Sequence, residues 1–423
     1  ISIRGRSTLF ANTTPLIVID NLPYEGDITS INPNDVESIT VLRDAAAASI
    51  WGAQAGNGVI VITTKNGKRG QPLSVSFNSN LTLSEIPDLH YSPQMEITDF
   101  IDQEIRLFEK GYYNSAANSV NKNPLSPTVE TLLALKDGRI TQTEADARIS
   151  AYRNQNFRSE LEENYYRRAV NQQYFLQAQG GGDHHNLLFS AGYDRNLSSV
   201  IGNGNERITL NSKSDFRLLS DRLRVSAGIY LSKTSIQTGT NVPTGYAYDI
   251  LKDSEGNHLP ITSLLNRRYV EQQTESGLLD WNFVPLDEIG MMDNSVNGMD
   301  YRINASLDYK LFEGLDAQVV YQYWNGATLS RNRDDQELFS MRHLINNYTQ
   351  VQEDGQLLRN IPLGDRLELN NEQAYSHNVR FQANYFRKFN EGSSITALGG
   401  AEIRDLNRVS DAALYYGMTM PLG

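Results

Sequence analysis

From about residue 171 onward, apolar and polar side chains alternate with a period of two in segments of about ten residues, the length a strand needs to cross a bilayer. In 222–232, Leu223, Val225, Ala227, Ile229 and Leu231 share one face. Arg222, Arg224, Ser226, Gly228, Tyr230 and Ser232 share the other. In 302–311, Ile303, Ala305, Leu307, Tyr309 and Leu311 oppose Arg302, Asn304, Ser306, Asp308 and Lys310. In 378–386, Val379, Phe381, Ala383 and Tyr385 oppose Asn378, Arg380, Gln382 and Asn384. Such a pattern fits a barrel wall in lipid, and it also fits a soluble sandwich with one solvated face.

Two details favour the barrel. Charged residues stand in the middle of the polar faces, and aromatics such as Tyr193, Phe216, Tyr230, Tyr309, Tyr321, Tyr323, Tyr385 and Phe389 fall toward strand ends, where an interfacial girdle sits. Short turns such as Leu219-Ser220-Asp221 and Phe312-Glu313-Gly314 alternate with long connections, about 234–300 and 326–376, read as extracellular. Composition does not oppose this. Only 39% of residues are hydrophobic, but a barrel shows lipid only alternate residues. No apolar run reaches the length of a membrane helix. The absence of cysteine excludes disulfides, thiolate metal sites and cysteine catalysis. A net charge of −12 argues against nucleic acid as a partner.

Residues 1 to about 70 read as a separate α/β unit. Leu16-Ile17-Val18-Ile19 is a short buried strand ending in Asp20. Asn32 and Pro33 signal a helix start, and Val36–Leu42 alternates as a strand. Asp44 caps an alanine-rich helix that stops at Gly52. Gly58 opens a β-branched strand, closed by the turn pair Asn66-Gly67. Residues 74–83 alternate as the first wall strand. Residues 93–168 then interrupt the wall with helical sequence, in which Phe157, Leu161 and Tyr165 recur at a spacing of four.

This first unit resembles the plug of SusC/RagA-family TonB-linked outer-membrane proteins. The resemblance runs through Ile3-Arg4-Gly5, Pro15 to Asp20, Ile31 to Ile39, Val41 to Ala45 and Trp51 to Lys65. It singles out Arg4, Gly5, Asp20, Asn32, Pro33, Asp44, Gly52 and Gly58 as structural plug positions. Two departures stand out: Asn21 where the family usually has glycine, and Trp51 for its usual tyrosine. The resemblance implies an α+β plug (1–70) followed by an antiparallel transmembrane β-barrel (71–423) carrying the helical insertion. About nine barrel strands are read here, against about 22 in complete barrels of this kind. The chain is therefore expected to be a piece, lacking plug sequence in front and barrel sequence behind.

The function implied is nutrient import across the bacterial outer membrane. TonB, with ExbB and ExbD, would drive it, a SusD-like lipoprotein would act as lid, and an oligosaccharide or oligopeptide would be the cargo. The alternative of another class is a β-sandwich binding or adhesion module. Aromatics in the long connections are the candidate ligand contacts: Tyr246, Tyr248, Trp281, Phe283 and Tyr348, with Trp324 at a loop boundary. No catalytic residue, metal site or cofactor is expected. Asp183-His184-His185 follows three glycines between strands and reads as a hairpin turn. Asp253-Ser254-Glu255-Gly256-Asn257 lacks the distal glutamate of a calcium loop and reads as a surface turn. Finally, Leu223, Val225, Ile229, Ile303, Leu307, Val379 and Phe381 are expected to face lipid, and Arg224, Asn304, Asp308 and Arg380 to face the plug.

Overall fold

The computed structural model describes residues 15–43, 51, 55–274, 276–390 and 392–419. Arg4, Gly5, Asp44, Gly52 and the alanine-rich helix expected before Trp51 lie outside these.

The first unit is a four-stranded sheet in the order β2-β1-β4-β3. β1 (Leu16–Ile19) runs parallel to β4 (Val59–Thr64), and β3 (Val36–Leu42) pairs antiparallel with β4. The β-branched residues that favour these strands also fill their core, where Val18, Ile19 and Val59 have no exposed surface. β1 turns into β2 (Leu22–Pro23) through two residues only, Asp20 and Asn21, at φ 49° and 69°. A two-residue hairpin of this twist needs left-handed backbone at both positions. Asparagine tolerates that region better than most residues, which is how it substitutes for a glycine here.

Two sequence expectations change. Asn32 does cap, accepting from the amide of Asn34 with Pro33 behind it, but the element is a single 3-10 turn, Pro33–Asp35, because β3 begins at Val36. Asn66-Gly67 is not the turn; that falls at Arg69-Gly70. Gly67 instead lies so close to the wall that a Cβ would meet the Leu187 carbonyl oxygen at 2.5 Å.

Nine strands among the described residues form one antiparallel meander: β5 (Gln71–Ser84), β6 (Ala169–Gly181), β7 (His185–Leu197), β8 (Asn203–Leu218), β9 (Leu223–Thr238), β10 (Met292–Phe312), β11 (Leu315–Asp334), β14 (Asp365–Asn390) and β15 (Ser393–Met418). A small hairpin, β12 (Thr349–Val351) with β13 (Leu357–Arg359), sits in the last long connection. The wall is an open arc with β5 and β15 at its edges. Its longest strands have 26 residues, about 85 Å at the usual rise, so they rise far beyond a hydrocarbon core. The long connections therefore start later and end earlier than the sequence reading has them, at 239–291 and 335–364. Beyond the lipid both faces of a strand are polar, and the period-two signal disappears although the ladder continues.

Between β5 and β6 lie five helices, α1 (Ile97–Glu109), α2 (Asn114–Ala117), α3 (Pro127–Lys136), α4 (Gln142–Tyr152) and α5 (Phe157–Asn164). Ser126 caps α3, and Thr141 with Glu144 forms a capping box on α4. Phe157, Leu161 and Tyr165 pack on Leu251 and Ile261 of connection 239–291, which joins the insertion to that loop.

The wall inverts the usual rule of burial. Ile229, Ile303, Leu307, Val379 and Phe381 are between 41% and 56% exposed, while Arg302, Gln322 and Asn378 are 2–3% exposed. Leu223 and Val225 are intermediate. A sandwich would bury the first set. An apolar outside and a polar inside make the wall of a membrane barrel. Among the residues expected inside, Arg380 donates to the backbone oxygen of Asn21, and Asn304 and Asp308 are half-buried on the plug side. Arg224 stays exposed and pairs with Asp215 at 3.0 Å. Tyr230, expected in the outer girdle, lies inside at mid-strand; the residue type fits a girdle, but its parity puts it on the polar face.

Candidate functional site: a buried belt between wall and plug

One transverse row of the wall carries the plug. Gln177, Ser190, Asn211, Tyr230, Arg302, Trp324 and Ser376 are direct register partners across seven adjacent strands. All seven are buried. Period-two geometry explains their common direction, and the plug explains their burial.

Much of the grip is polar, beside an apolar cluster in which Trp324 and Ala374 of the wall pack on Ile19, Tyr24 and Ile31 of the plug. Tyr230 donates its hydroxyl to the Ser30 carbonyl at 2.6 Å and accepts from the Asn32 amide at 3.0 Å. The Asn32 side chain donates to Thr209 Oγ1 at 2.9 Å, over Gly192, where a Cβ would collide with it. Ser190 donates to the Asp35 carboxylate, and burial raises the pKa of that acid against the pull of the hydroxyl. Lys213 meets Asp20 at 2.6 Å, and Asp20 also binds both the amide and the hydroxyl of Thr64, which ties the hairpin turn to β4. Arg404 pairs with Glu25. Of the plug positions singled out by sequence, Asp20 and Asn32 belong to this contact, while Pro33 is exposed at the start of its 3-10 turn. Gly58 does not belong to it: at φ 90° it shapes the entry to β4.

The centre of the belt is aromatic and cationic. The Arg302 guanidinium lies 4.8 Å from the Tyr24 ring centre and 4.3 Å from that of Tyr230. Tyr24 belongs to the plug, so Arg302 is clamped between plug and wall. Beside it, Asp300 Oδ2 accepts from Trp324 Nε1 at 2.6 Å and from the Tyr24 hydroxyl at 3.1 Å.

Above the belt, on the side of the long connections, opens a cavity of about 660 Å³. The plug segment from Glu25 to Ser30 forms its floor, and Asp194, Arg207, Asp300 and Trp324 line its wall. Below, toward the short turns, a second cavity of about 300 Å³ lies between the Asp20-Asn21 turn and β8–β11.

The aromatics chosen from sequence separate here. Trp324 reaches the cavity. Tyr248 is buried against Phe100 and Tyr152 and bonds Glu104. Trp281 is buried with Val270 and Phe339 and donates to His343 at 3.1 Å; Phe283 packs against the same Phe339 with its ring tilted by 40°. Tyr246 is half-buried, and Tyr348 is exposed elsewhere. Asp183-His184 forms the tight turn between β6 and β7. Asp253 accepts from the amides of Glu255 and Asn257, as a surface turn does. Sequence reasoning missed Tyr24, Arg207, Lys213, Tyr230, Asp300 and Arg302 as one constellation. The available signal was the charge placed at mid-strand on inward parity.

The family described as TonB-dependent Receptor Plug Domain matches residues 1–59. The TonB-dependent receptor SusC of Bacteroides thetaiotaomicron is 47% identical over 93 residues, 20% of this chain and 9% of that protein. The TonB-dependent receptor P39 of Formosa agariphila is 26% identical over 412 residues, covering 96% of this chain and 33% of that relative. These matches support a fragment of a SusC/RagA-type TonB-dependent receptor. Its fold agrees. The structure titled RagAB peptide transporter superposes with a TM-score of 0.70 at 18% identity, covering 99% of this chain and 44% of that one. The receptor is thus an outer-membrane protein, and the chain spans at most a third of the two curated relatives named.

Proposed function

We propose that the receptor imports an oligosaccharide or an oligopeptide across the outer membrane, driven by TonB with ExbB and ExbD and lidded by a SusD-like lipoprotein. One observation carries this reading: a polar plug face closes the bottom of an open cavity inside a wall whose outside is apolar. Ligand entering from the long-connection side meets the plug itself, so binding and plug displacement are mechanically joined. The family relation supports the import class, and a peptide importer among the fold neighbours supports one of the two cargoes. Plug 1–70 and barrel 71–423 are the working units of this proposal. Trp324 is its first ligand contact, with Tyr246, Phe283 and Tyr348 as contacts on the loops.

The test is uptake of fluorescent oligosaccharide and oligopeptide pools by cells with and without the receptor gene. The proposal expects one pool to enter only when the gene and the proton gradient are both present. Uptake unchanged by deletion and by a protonophore contradicts it.

A further inference from the structure

The two cavities are in line, and a single layer of side chains divides them. On β9, Ser232 lines the upper cavity and Gly228 the lower; the one inward residue between is Tyr230. On β10, Asp300 lines the upper and Asn304 the lower, with Arg302 between. On β11, Trp324 and Val320 flank Gln322 in the same way. On the plug, the lower cavity touches Leu22 and the upper begins at Glu25, with Tyr24 packed between.

We propose that cargo passes along this seam, between the plug hairpin and β8–β11, and that Arg302, held between Tyr24 and Tyr230, is its gate. The layer differs chemically from a packed core. Arg302 Nε and Gln322 Nε2 are buried and have no hydrogen-bond partner among the described residues, and Asn304 Oδ1 just below is in the same condition. Packed interiors pair such atoms, whereas hydrated paths leave them to water and to passing polar groups. The closure is also one that opens at small cost in structure. Arg302 is fixed by ring faces on two sides, and one of those rings leaves whenever the plug moves. Cation–π contact is broken by separation alone, with no wall strand unpaired. The solute that fits is polar and hydrated, since polar and charged side chains make up most of both linings.

This inference takes its purpose from the import reading, but its test needs neither cargo nor TonB. The receptor carrying this chain is inserted in planar bilayers and ion current is recorded. Arg302→Ala is expected to pass a steady current where the parent passes none. Tyr24→Ala, which alters only the plug side, is expected to do the same, and Tyr24→Phe, which keeps the ring, to stay closed. In the Arg302→Ala background, Ser232→Cys and Ser226→Cys should let a small thiol reagent reduce that current. Ile303→Cys, on the lipid face, should not. Heat-modifiable mobility in gels confirms that each barrel is folded. A folded Arg302→Ala and a folded Tyr24→Ala that both stay closed overturn the proposal. So does a current indifferent to modification at Ser232→Cys and Ser226→Cys. Failure of uptake with a gated current intact would remove the import reading and leave the seam.

Discussion

Arg207 of β8 and Asp194 of β7 are register partners on the inner face of the wall. Asp194 holds the guanidinium at 2.8 Å from its Nε, so that a terminal nitrogen reaches the plug and donates to the carbonyls of Thr29 and Ile31. A bidentate fork on one side leaves donors free on the other, which lysine does not offer. The pair is thus a bracket that fixes a second 3-10 turn of the plug, Ile28–Ser30, to the wall.

Removing the bracket uncovers a buried charge. Arg207→Ala leaves Asp194, 5% exposed, without its counter-ion, and costs about 3 kcal/mol or more. The expected outcome is faster proteolytic release of the plug and a lower melting temperature. Arg207→Lys should recover only part of the loss, and Asp194→Asn should be milder than Arg207→Ala because the amide is uncharged. Equal plug protection in all three contradicts the bracket.

The Asp20-Asn21 turn makes a prediction about backbone. Asn21 sits at φ 69°. Asn21→Gly should be neutral or slightly stabilising, whereas Asn21→Val should destabilise by about 1–2 kcal/mol, the cost of left-handed backbone for a residue with a branched Cβ. Chemical denaturation of the purified receptor measures both.

The helical insertion carries a pH dependence. Asp249, in connection 239–291, is 5% exposed, and burial pushes its pKa from the ordinary 3.8 up to about 6. Glu104 nearby adds to the rise, while the Tyr246 amide and Arg267 oppose it. A raised acid pKa means that the folded loop holds its proton longer than the unfolded one does. Stability from this group is therefore full below about pH 4 and is lost as pH rises toward about 6. Melting of the insertion, followed by far-UV circular dichroism, should rise on going from pH 7 to pH 5. Asp249→Asn should flatten that slope and stabilise the insertion at pH 7. An unchanged slope in Asp249→Asn refutes the assignment.

How much of this was legible in the sequence depends on what each residue faces. Ile229, Ile303 and Phe381 declared themselves because lipid selects apolar side chains at every second position, and the signal repeats from strand to strand. Arg302 and Tyr230 did not. Parity put them inside, but it gives the same face to a residue lining water as to one gripping a plug residue nearly 300 or 200 positions away. Asn32 and Pro33 revealed a helical start but not its length, because what ends it is β3 pairing with β4. For Tyr248 and Trp281, an aromatic in a long connection has the same sequence signature whether it meets a ligand or fills the loop's own core. The structure shows them in the cores.

The wall stands in lipid with its polar row turned to the plug, and the absence of cysteine from the chain makes this directly measurable. Single cysteines placed from position 300 to 308 of β10 can carry an environment-sensitive fluorophore in liposomes. Quenching by nitroxide lipids is expected at 303, 305 and 307, and none at 302, 304 and 306. Equal quenching along the strand, or water exposure at 303 and 307 with no quenching by lipid, would contradict it.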